Sequence, residues 1–164
     1  MKHRDDVPVF GERVAGQRYI VRPSAYAVIQ NDVGQFAIVA TPLGLFLPGG
    51  GVEIDETPEQ AIAREVLEEC GLLVRPGLTI AEAVQLAYSS REDAYFEKPS
   101  VFLRAVVDGV KTSPLEGDHQ LLWISSEAAA DGMFHASHAW VLRGAAQPAV
   151  ADGRGPRLRS EPRR

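Results

Sequence analysis

The stretch that decides the fold is residues 50–72, which read GGVEIDETPEQAIAREVLEECGL. Thr57, Pro58 and Gln60 supply, in register, a helix N-cap, a proline at the first helical position and a capping-box partner. Gly71 suits the left-handed residue that ends a helix. The stretch therefore predicts a glycine-rich loop followed by one helix.

This predicted helix has an apolar face and an acidic face. At about 100° per residue, the apolar arc holds Ile62, Ala63, Val66, Leu67 and Cys70. Glu65, Glu68 and Glu69 share another arc of the helix surface. Glutamates at i, i+3 and i+4 repel one another by a few tenths of a kcal/mol per pair. We therefore expect a positive group to neutralise the acidic face.

A divalent cation is the group best able to balance these carboxylates. Arg64 is placed to pair with Glu68 one turn on or with Glu56 across the loop, but one guanidinium cannot balance four carboxylates. All-oxygen donors select hard ions such as Mg²⁺ or Mn²⁺, which keep several waters and share phosphate oxygens of a substrate. The glycines at 49–51 let the backbone approach closely, so they can supply a carbonyl ligand. The ligand set points to phosphate chemistry.

The stretch resembles the Nudix box of the Nudix (MutT-like) hydrolase family. That box runs Gly, five residues, Glu, seven residues, Arg-Glu, an aliphatic, any residue, Glu-Glu, any residue, Gly, aliphatic. Its fixed positions are filled here by Gly50, Glu56, Arg64, Glu65, Val66, Glu68, Glu69, Gly71 and Leu72. The alternative is an ordinary solvated helix face. Two features argue against it: the whole spaced pattern matches in its loop-to-helix context, and no lysine on that face makes i to i+4 pairs.

The resemblance implies a fold and an activity. The fold is α/β, with a mixed β-sheet sandwiched between α-helices (α/β/α). The activity is metal-dependent hydrolysis of a pyrophosphate bond in a nucleoside diphosphate linked to another moiety. Glu65, Glu68, Glu69 and the Gly49 carbonyl are the expected ligands of Mg²⁺ or Mn²⁺, which would lower the pKa of a bound water. Arg64 is expected to orient Glu65.

The resemblance leaves the general base open, because Nudix enzymes differ in which glutamate takes the proton and several place it on a loop outside the box. Glu116, in the segment EGDHQ before an apolar strand, is the candidate, and Glu97 is a second one. The other interpretation of either residue is a surface carboxylate. The predicted catalytic residues are therefore Glu65, Glu69, Arg64 and Glu116.

Substrate contacts are predicted for Glu56, Tyr88, Phe96 and His119. The two aromatic rings can stack on a nucleobase and His119 can contact phosphate or base, whereas core packing or a surface position is the alternative. In the family that the box resembles, ADP-ribose hydrolases carry a proline about fifteen residues downstream of the box, and diadenosine polyphosphate hydrolases carry a tyrosine slightly later. Tyr88 is the sixteenth residue after Leu72, so the resemblance favours a dinucleoside polyphosphate over ADP-ribose. A (d)NTP substrate stays equally open.

Two other functions are compatible with the fold that the resemblance implies. One is a non-catalytic nucleotide-binding module, although such modules usually have damaged boxes and this box is intact. The other is an isomerase of the isopentenyl diphosphate type, which relies on a catalytic cysteine. Cys70 lies inside the predicted helix, where a small packed side chain is the better interpretation.

Composition is that of an ordinary globular enzyme. The chain of 164 residues is 45% hydrophobic and 24% charged, which predicts one domain with a real core. Its net charge of -5 argues against a nucleic-acid binder. It has neither a signal-peptide pattern nor about 18 consecutive apolar residues, so we expect a cytoplasmic protein without a membrane partner. A homodimer is compatible with the sequence.

Outside the box, short apolar runs alternate with turn signals. Strands are predicted at 24–30 and 35–40 with a hairpin connection between them, at 79–87 and 100–107 with a polar loop at 88–99, and at 120–124. Helices are predicted from Ser125 and over 134–146. The predicted organisation is an N-terminal extension (1–18), a Nudix domain (19–143) and a flexible tail (144–164) rich in Arg, Pro and Gly.

Overall fold

The structure is a computed structural model that describes residues 6–111 and 117–145. The elements follow in chain order as β1 (Val9–Phe10), β2 (Tyr19–Val21), β3 (Ser24–Ile29), β4 (Phe36–Thr41), β5 (Gly44–Phe46), β6 (Gly49–Gly51), α1 (Pro58–Cys70), β7 (Leu72–Ser89), β8 (Ala94–Val110), β9 (Gln120–Ile124), α2 (Ser126–Gly132) and α3 (Ala136–Ala145).

The strands form two sheets. The larger has six strands in the order β1-β7-β8-β3-β6, with β2 also pairing with β8. It is mixed, because β3 runs parallel to β8 and β1 parallel to β7, whereas β7 is antiparallel to β8 and β6 is antiparallel to β3. The smaller sheet has the order β5-β4-β9 and is antiparallel. The predicted mixed α/β architecture is confirmed.

Helices cover both faces of these sheets. Alternate residues of β3 and β4 point to opposite faces, as the two-residue period of a strand requires. On one face, Ala25 and Ala27 join the core around α1, together with Ile62 and Val66. The residues that alternate with them join a second core beneath α2 and α3: Tyr26, Val28, Phe36, Ile38, Val141 and Leu142. The result is the predicted α/β/α sandwich.

Helix α1 begins and ends where the sequence predicts. The Thr57 hydroxyl accepts from the Gln60 N–H at 3.2 Å and the Gln60 side chain accepts from the Thr57 N–H at 2.9 Å. Gly71 ends the helix at φ 65°. The apolar arc is buried as predicted at Ile62, Val66 and Cys70, whereas Ala63 is exposed. Local capping therefore fixes the helix that carries the acidic face.

The predicted polar loop at 88–99 is wrong, because both flanking strands extend through most of it. The register of β7 and β8 continues to Tyr88↔Tyr95 and Ser89↔Ala94, which leaves a turn of four residues at 90–93. Buried Phe96 alternates along β8 with half-buried polar neighbours. Charged residues on the open face of a strand thus resemble a loop in the sequence.

The predicted hairpin at 31–34 is correct as a turn but wrong as a pairing. The Asn31 side chain accepts from the Gln35 N–H at 2.8 Å, and an isolated bridge joins Gln30 to Phe36. Beyond it β3 and β4 enter different sheets, because β3 pairs along its length with β8 and at its start with β6. The glycines at 49–51, predicted as a loop, form strand β6 through that pairing.

The predicted bounds of the domain, 19 and 143, do not coincide with the first strand and the last helix of the structure. Strand β1, within the predicted extension, pairs with β7 at Val9↔Val84. Helix α3 continues to Ala145, two residues into the predicted tail, and residues 146–164 lie outside the described part. Within residues 6–111 and 117–145, no helix has the length and apolar character needed to cross a membrane.

Candidate active site

The acidic face of α1 lies against strand β6, and Glu69 forms the closest contact. Glu69 is 6% exposed, and its Oε1 accepts from the Gly49 N–H at 2.8 Å. Gly49 has φ +142°, and a Cβ there would clash with the Ala25 carbonyl oxygen and with Tyr26. Only glycine combines this backbone conformation with so close an approach. The glycine at 49 therefore holds the strand against the helix.

Glu65 contacts the next glycine of the same strand. A Cβ built at Gly50 would lie 2.7 Å from Glu65 Oε1 and 2.8 Å from its carboxyl carbon. Any larger residue would therefore displace the carboxylate. The glycine run thus gives two carboxylates of one helix face direct access to the backbone of β6.

Arg64 joins the other carboxylates of the site. Its Nε and Nη2 donate to the two oxygens of Glu56 at 2.8 and 3.0 Å. Its Nη1 donates to Glu65 Oε1 at 2.8 Å and lies 3.6 Å from Glu68 Oε2, while Nη2 also donates to the Gly51 carbonyl at 3.1 Å. One planar guanidinium thus fixes the loop before α1 relative to its acidic face.

The ion pair is charged at neutral pH. Hydrogen bonds from Arg64, with a smaller contribution from the Glu53 N–H, lower the pKa of Glu56 to about 2. The same bond to Glu56 raises the pKa of Arg64 above its ordinary value, against the effect of burial. The Arg64 guanidinium interacts with the carboxylates of Glu56, Glu65 and Glu68, and Glu69 adds a fourth carboxylate to the site. The described site is therefore suited to cations.

These donors fit a divalent cation in their chemistry. Carboxylate and carbonyl oxygens are the ligands that Mg²⁺ and Mn²⁺ prefer, and Glu65 lies directly on the glycine backbone. In residues 6–111 and 117–145, however, no three His, Cys, Asp or Glu side chains converge closely enough to form a metal site. Arg64 holds Glu65 and approaches Glu68, while Gly49 holds Glu69, so the carboxylates are drawn toward different partners.

His119, predicted to contact substrate, lies beside this cluster. Its Nδ1 is 3.4 Å from Glu69 Oε2, and its Nε2 is 3.7 Å from Asp118 Oδ1. Glu116, the predicted general base, lies outside the described residues. The second candidate base, Glu97, pairs with Arg13 at 3.1 Å. The structure therefore brings together Glu56, Arg64, Glu65, Glu68, Glu69, Gly49 and His119.

The two aromatic residues predicted to stack on a base differ in exposure. Tyr88 is 47% exposed near the turn of the β7–β8 hairpin, and its hydroxyl donates to Asp93 at 2.6 Å. Phe96 is 1% exposed, and the Arg22 guanidinium lies 4.0 Å from its ring centroid. The Phe96 ring is thus closed to a base in this arrangement, because core packing and Arg22 occupy its surroundings.

Two buried histidines, His135 and His138, contact the segment that leads into the glycine strand. The Leu47 N–H, two residues before Gly49, donates to His138 Nδ1 at 3.1 Å. Burial lowers the pKa of His138 well below its usual range and that of His135 to about 4. Both are therefore neutral at physiological pH. Their i, i+3 spacing within the apolar segment 134–142 was the available signal.

Comparison with known families places this geometry among the Nudix domains. A sequence model described as NUDIX domain matches residues 21–144. The chain is 47% identical over 51 residues to a MutT-like protein of Streptomyces ambofaciens, covering 30% of this chain and 33% of that one. It is 35% identical over 78 residues to an 8-oxo-dGTP diphosphatase of Haemophilus influenzae (44% and 57%). An RNA pyrophosphohydrolase of Acinetobacter baylyi is 34% identical over 92 residues (54% and 51%).

These matches with curated relatives span between a third and somewhat more than half of each relative's length. Among solved structures, a NUDIX hydrolase from Nitrosomonas europaea superposes with a TM-score of 0.52 at 22% identity, over 66% of this chain and 75% of that one. A MutT protein from Methanosarcina mazei Go1 gives a TM-score of 0.51 at 25% identity, over 69% and 83%. The likeness to solved structures therefore extends beyond the box and covers about two thirds of this chain.

Proposed function

The chain belongs to the Nudix hydrolase family, and from this premise we propose that it hydrolyses a pyrophosphate bond of a nucleoside polyphosphate with the help of Mg²⁺ or Mn²⁺. The observation that carries the proposal is the contact of Glu65 and Glu69 with consecutive glycines of β6. A strand without side chains lets two carboxylates approach its backbone closely, and carboxylate and carbonyl oxygens are the ligands that such a cation takes.

In this proposal each residue of the site has a separate task. Glu65 and Glu69 are the principal metal ligands, Glu68 joins them, and the Gly49 carbonyl adds a backbone oxygen. The bound cation would neutralise the diphosphate and lower the pKa of a water. Arg64 holds Glu65 in place through its bonds to Glu56 and Glu65. Glu116 stays the predicted general base, which takes the proton of the attacking water.

The substrate class that we favour is a (d)NTP or a dinucleoside polyphosphate. Relatives named 8-oxo-dGTP diphosphatase and RNA pyrophosphohydrolase support a nucleoside polyphosphate. Tyr88, exposed on the hairpin, is available to contact a second nucleoside. The cytoplasmic location and the homodimer stay predictions of the sequence.

The decisive experiment compares Glu69→Gln with Glu59→Gln. The purified proteins are incubated with (d)NTPs, dinucleoside polyphosphates, ADP-ribose, sugar nucleotides and CoA, with Mg²⁺ or Mn²⁺. Glu59 lies exposed on the same helix, so Glu59→Gln is the matched control. We expect one class to release a mononucleotide or phosphate. We expect Glu69→Gln to reduce kcat by roughly 100-fold or more, the scale of a lost metal ligand or base.

The alternative function is a Nudix-fold nucleotide-binding module without catalysis. Tight binding of one compound without turnover of any would favour it over the hydrolase. Full metal-dependent activity in Glu69→Gln would instead show that the assignment of the metal ligand is wrong.

A further inference from the structure

The side chain of Arg22 lies beside the glycine strand β6. Arg22 does not belong to the Nudix box. Its Cγ and Cδ are 3.8 Å from a Cβ built at Gly51, the residue whose carbonyl Arg64 binds. The guanidinium rests on Phe96, 4.0 Å from the ring centroid. Its Nη1 and Nη2 donate to the two oxygens of Glu92, both at 2.9 Å. Arg22 thus lies beside the last residue of β6 and is anchored at the hairpin turn.

The surroundings of Arg22 are rich in positive charge. Arg22, followed by Lys98 and Arg91, lowers the pKa of Glu92 below its usual range. Lys98 is itself half-buried, and burial together with the charge of Arg22 lowers its pKa. Lys98 follows Phe96 by two residues on β8, so its side chain lies on the same face of the sheet. The Glu92 carboxylate therefore interacts with three cationic side chains, Arg22, Lys98 and Arg91.

Strand β6 separates this basic group from the acidic group around Arg64. On one side Glu56, Glu65 and Glu68 surround one guanidinium. On the other side Arg22 and Lys98 lie near Glu92. A polyphosphate held by cations at the carboxylates has more charge than those cations neutralise. Arg22 and Lys98, across the glycines, offer cationic groups to its remaining phosphate oxygens.

We propose that Arg22, assisted by Lys98, binds a phosphate group of the substrate, and that Glu92 holds the guanidinium in its place when no substrate is bound. This inference rests on the proposed function and adds a substrate-binding residue to it. The Arg22 and Glu92 side chains are 39% and 45% exposed, so their ion pair is weak and easily exchanged. A phosphate accepts the same bidentate pair of hydrogen bonds with more charge.

The proposal assigns opposite effects to the two partners of one ion pair. Arg22→Gln removes the phosphate contact, so we expect KM to rise roughly 10- to 100-fold, the scale of a lost charge-assisted hydrogen bond. Glu92→Gln removes the competing carboxylate, so we expect KM to fall by a factor of about 2 to 5. In both variants kcat should stay within a few-fold of the parent. A structural clamp would behave differently, because breaking it from either side has the same effect.

Arg13 supplies a matched control. Its guanidinium lies 4.6 Å from the Tyr19 centroid and pairs with Glu97 at 3.1 Å, the same two kinds of contact that Arg22 makes. Glu97 alternates with Phe96 and Lys98 along β8, so this pair lies on the opposite face of the strand. We expect Arg13→Gln to leave KM unchanged. Equal increases in KM for Arg22→Gln and Arg13→Gln would overturn the proposal.

A binding measurement separates failure of this inference from failure of the hydrolase function. Inorganic pyrophosphate is titrated into the full chain with Mg²⁺ by calorimetry. We expect weaker binding in Arg22→Gln and tighter binding in Glu92→Gln, whether or not any nucleotide is hydrolysed. If the parent protein hydrolyses a nucleotide while Arg22→Gln binds pyrophosphate normally, Arg22 has no role in phosphate binding and the hydrolase function stands.

Discussion

At the residue scale, His135 shows how burial changes a titration. It is 5% exposed among the rings of Phe46, Phe134 and His138, and burial lowers its pKa to about 4. In the unfolded chain, His135 has an ordinary pKa near 6.5, so between about pH 6.5 and pH 4 it binds a proton that it does not bind in the folded protein. The resulting stability is full above pH 6.5 and is lost as the pH falls toward 4. Replacing His135 should therefore flatten the dependence of stability on pH.

We expect the parent protein to lose roughly 2 kcal/mol between pH 7 and pH 5 through His135 alone, and His138 acts in the same direction. His135→Phe, which suits the aromatic surroundings, should reduce this loss by about that amount. The free energy of unfolding from urea titrations at both pH values tests this. The difference in the free energy of unfolding between variant and parent at pH 7 corrects for altered packing. An unchanged slope with pH would mean that His135 is protonated in the folded protein.

Contacts between residues could be predicted from the sequence where the partners share one local pattern. The Arg64–Glu56 pair was predicted because both residues belong to the box and flank the start of one helix. Arg22 was not, because its contacts with Glu92 and Phe96 join residues about 70 positions apart. No local spacing marks such a contact. It arises from the parallel pairing of β2 with β8, which places Val21 opposite Glu97.

At the scale of elements, two neighbouring glycines of strand β6 are required for different reasons. Gly50 has an ordinary φ, and a Cβ there meets the Glu65 carboxylate at 2.7 Å. Gly49 has φ +142°, and a Cβ there meets the backbone of β3. We expect Gly50→Ala to lower kcat at least about 10-fold with little loss of stability, because a movable carboxylate gives way.

The matched variant is Gly49→Ala, which should lower the melting temperature, because backbone must shift and the φ angle disfavours alanine. Thermal unfolding and steady-state kinetics on both variants make the comparison. Equal loss of stability in the two would contradict the distinction between these neighbouring glycines.

Elements differed in how far local sequence defines them. Helix α1 was predicted to the residue, because Thr57, Pro58 and Gly71 act on the backbone within one turn. Strands β7 and β8 were predicted too short. The omitted residues, such as Arg75 and Lys98, are charged or half-exposed, and the strand conformation there depends on cross-strand partners such as Arg75↔Val106 and Gln85↔Lys98.

At the scale of the whole molecule, the α/β/α layering was predicted, but the division into two sheets was not. Alternation along β3 and β4 places residues such as Ala27 and Val28 in separate cores. Which strand lies beside which depends on pairing between distant segments, as in Ala25↔Val101 and Ala37↔Trp123. The family resemblance supplied the layering, whereas periodicity alone gives no partner for a strand.

Because Cys70 is buried in the folded protein, the rate at which its thiol is modified reports unfolding of the chain. The sequence has this one cysteine, and its thiol lies at the end of α1 in the core beneath that helix. Burial and the nearby Glu69 raise the pKa of the thiol to about 12, so thiolate is scarce while the fold persists. At pH 8, a disulfide reagent should modify the native protein at least about 1,000-fold more slowly than the urea-unfolded chain, since ordinary stabilities allow few open molecules. Comparable rates would reveal an opening between α1 and the sheets. Slow modification would allow the reactivity of the Cys70 thiol to measure the folded fraction of the protein, without an added probe.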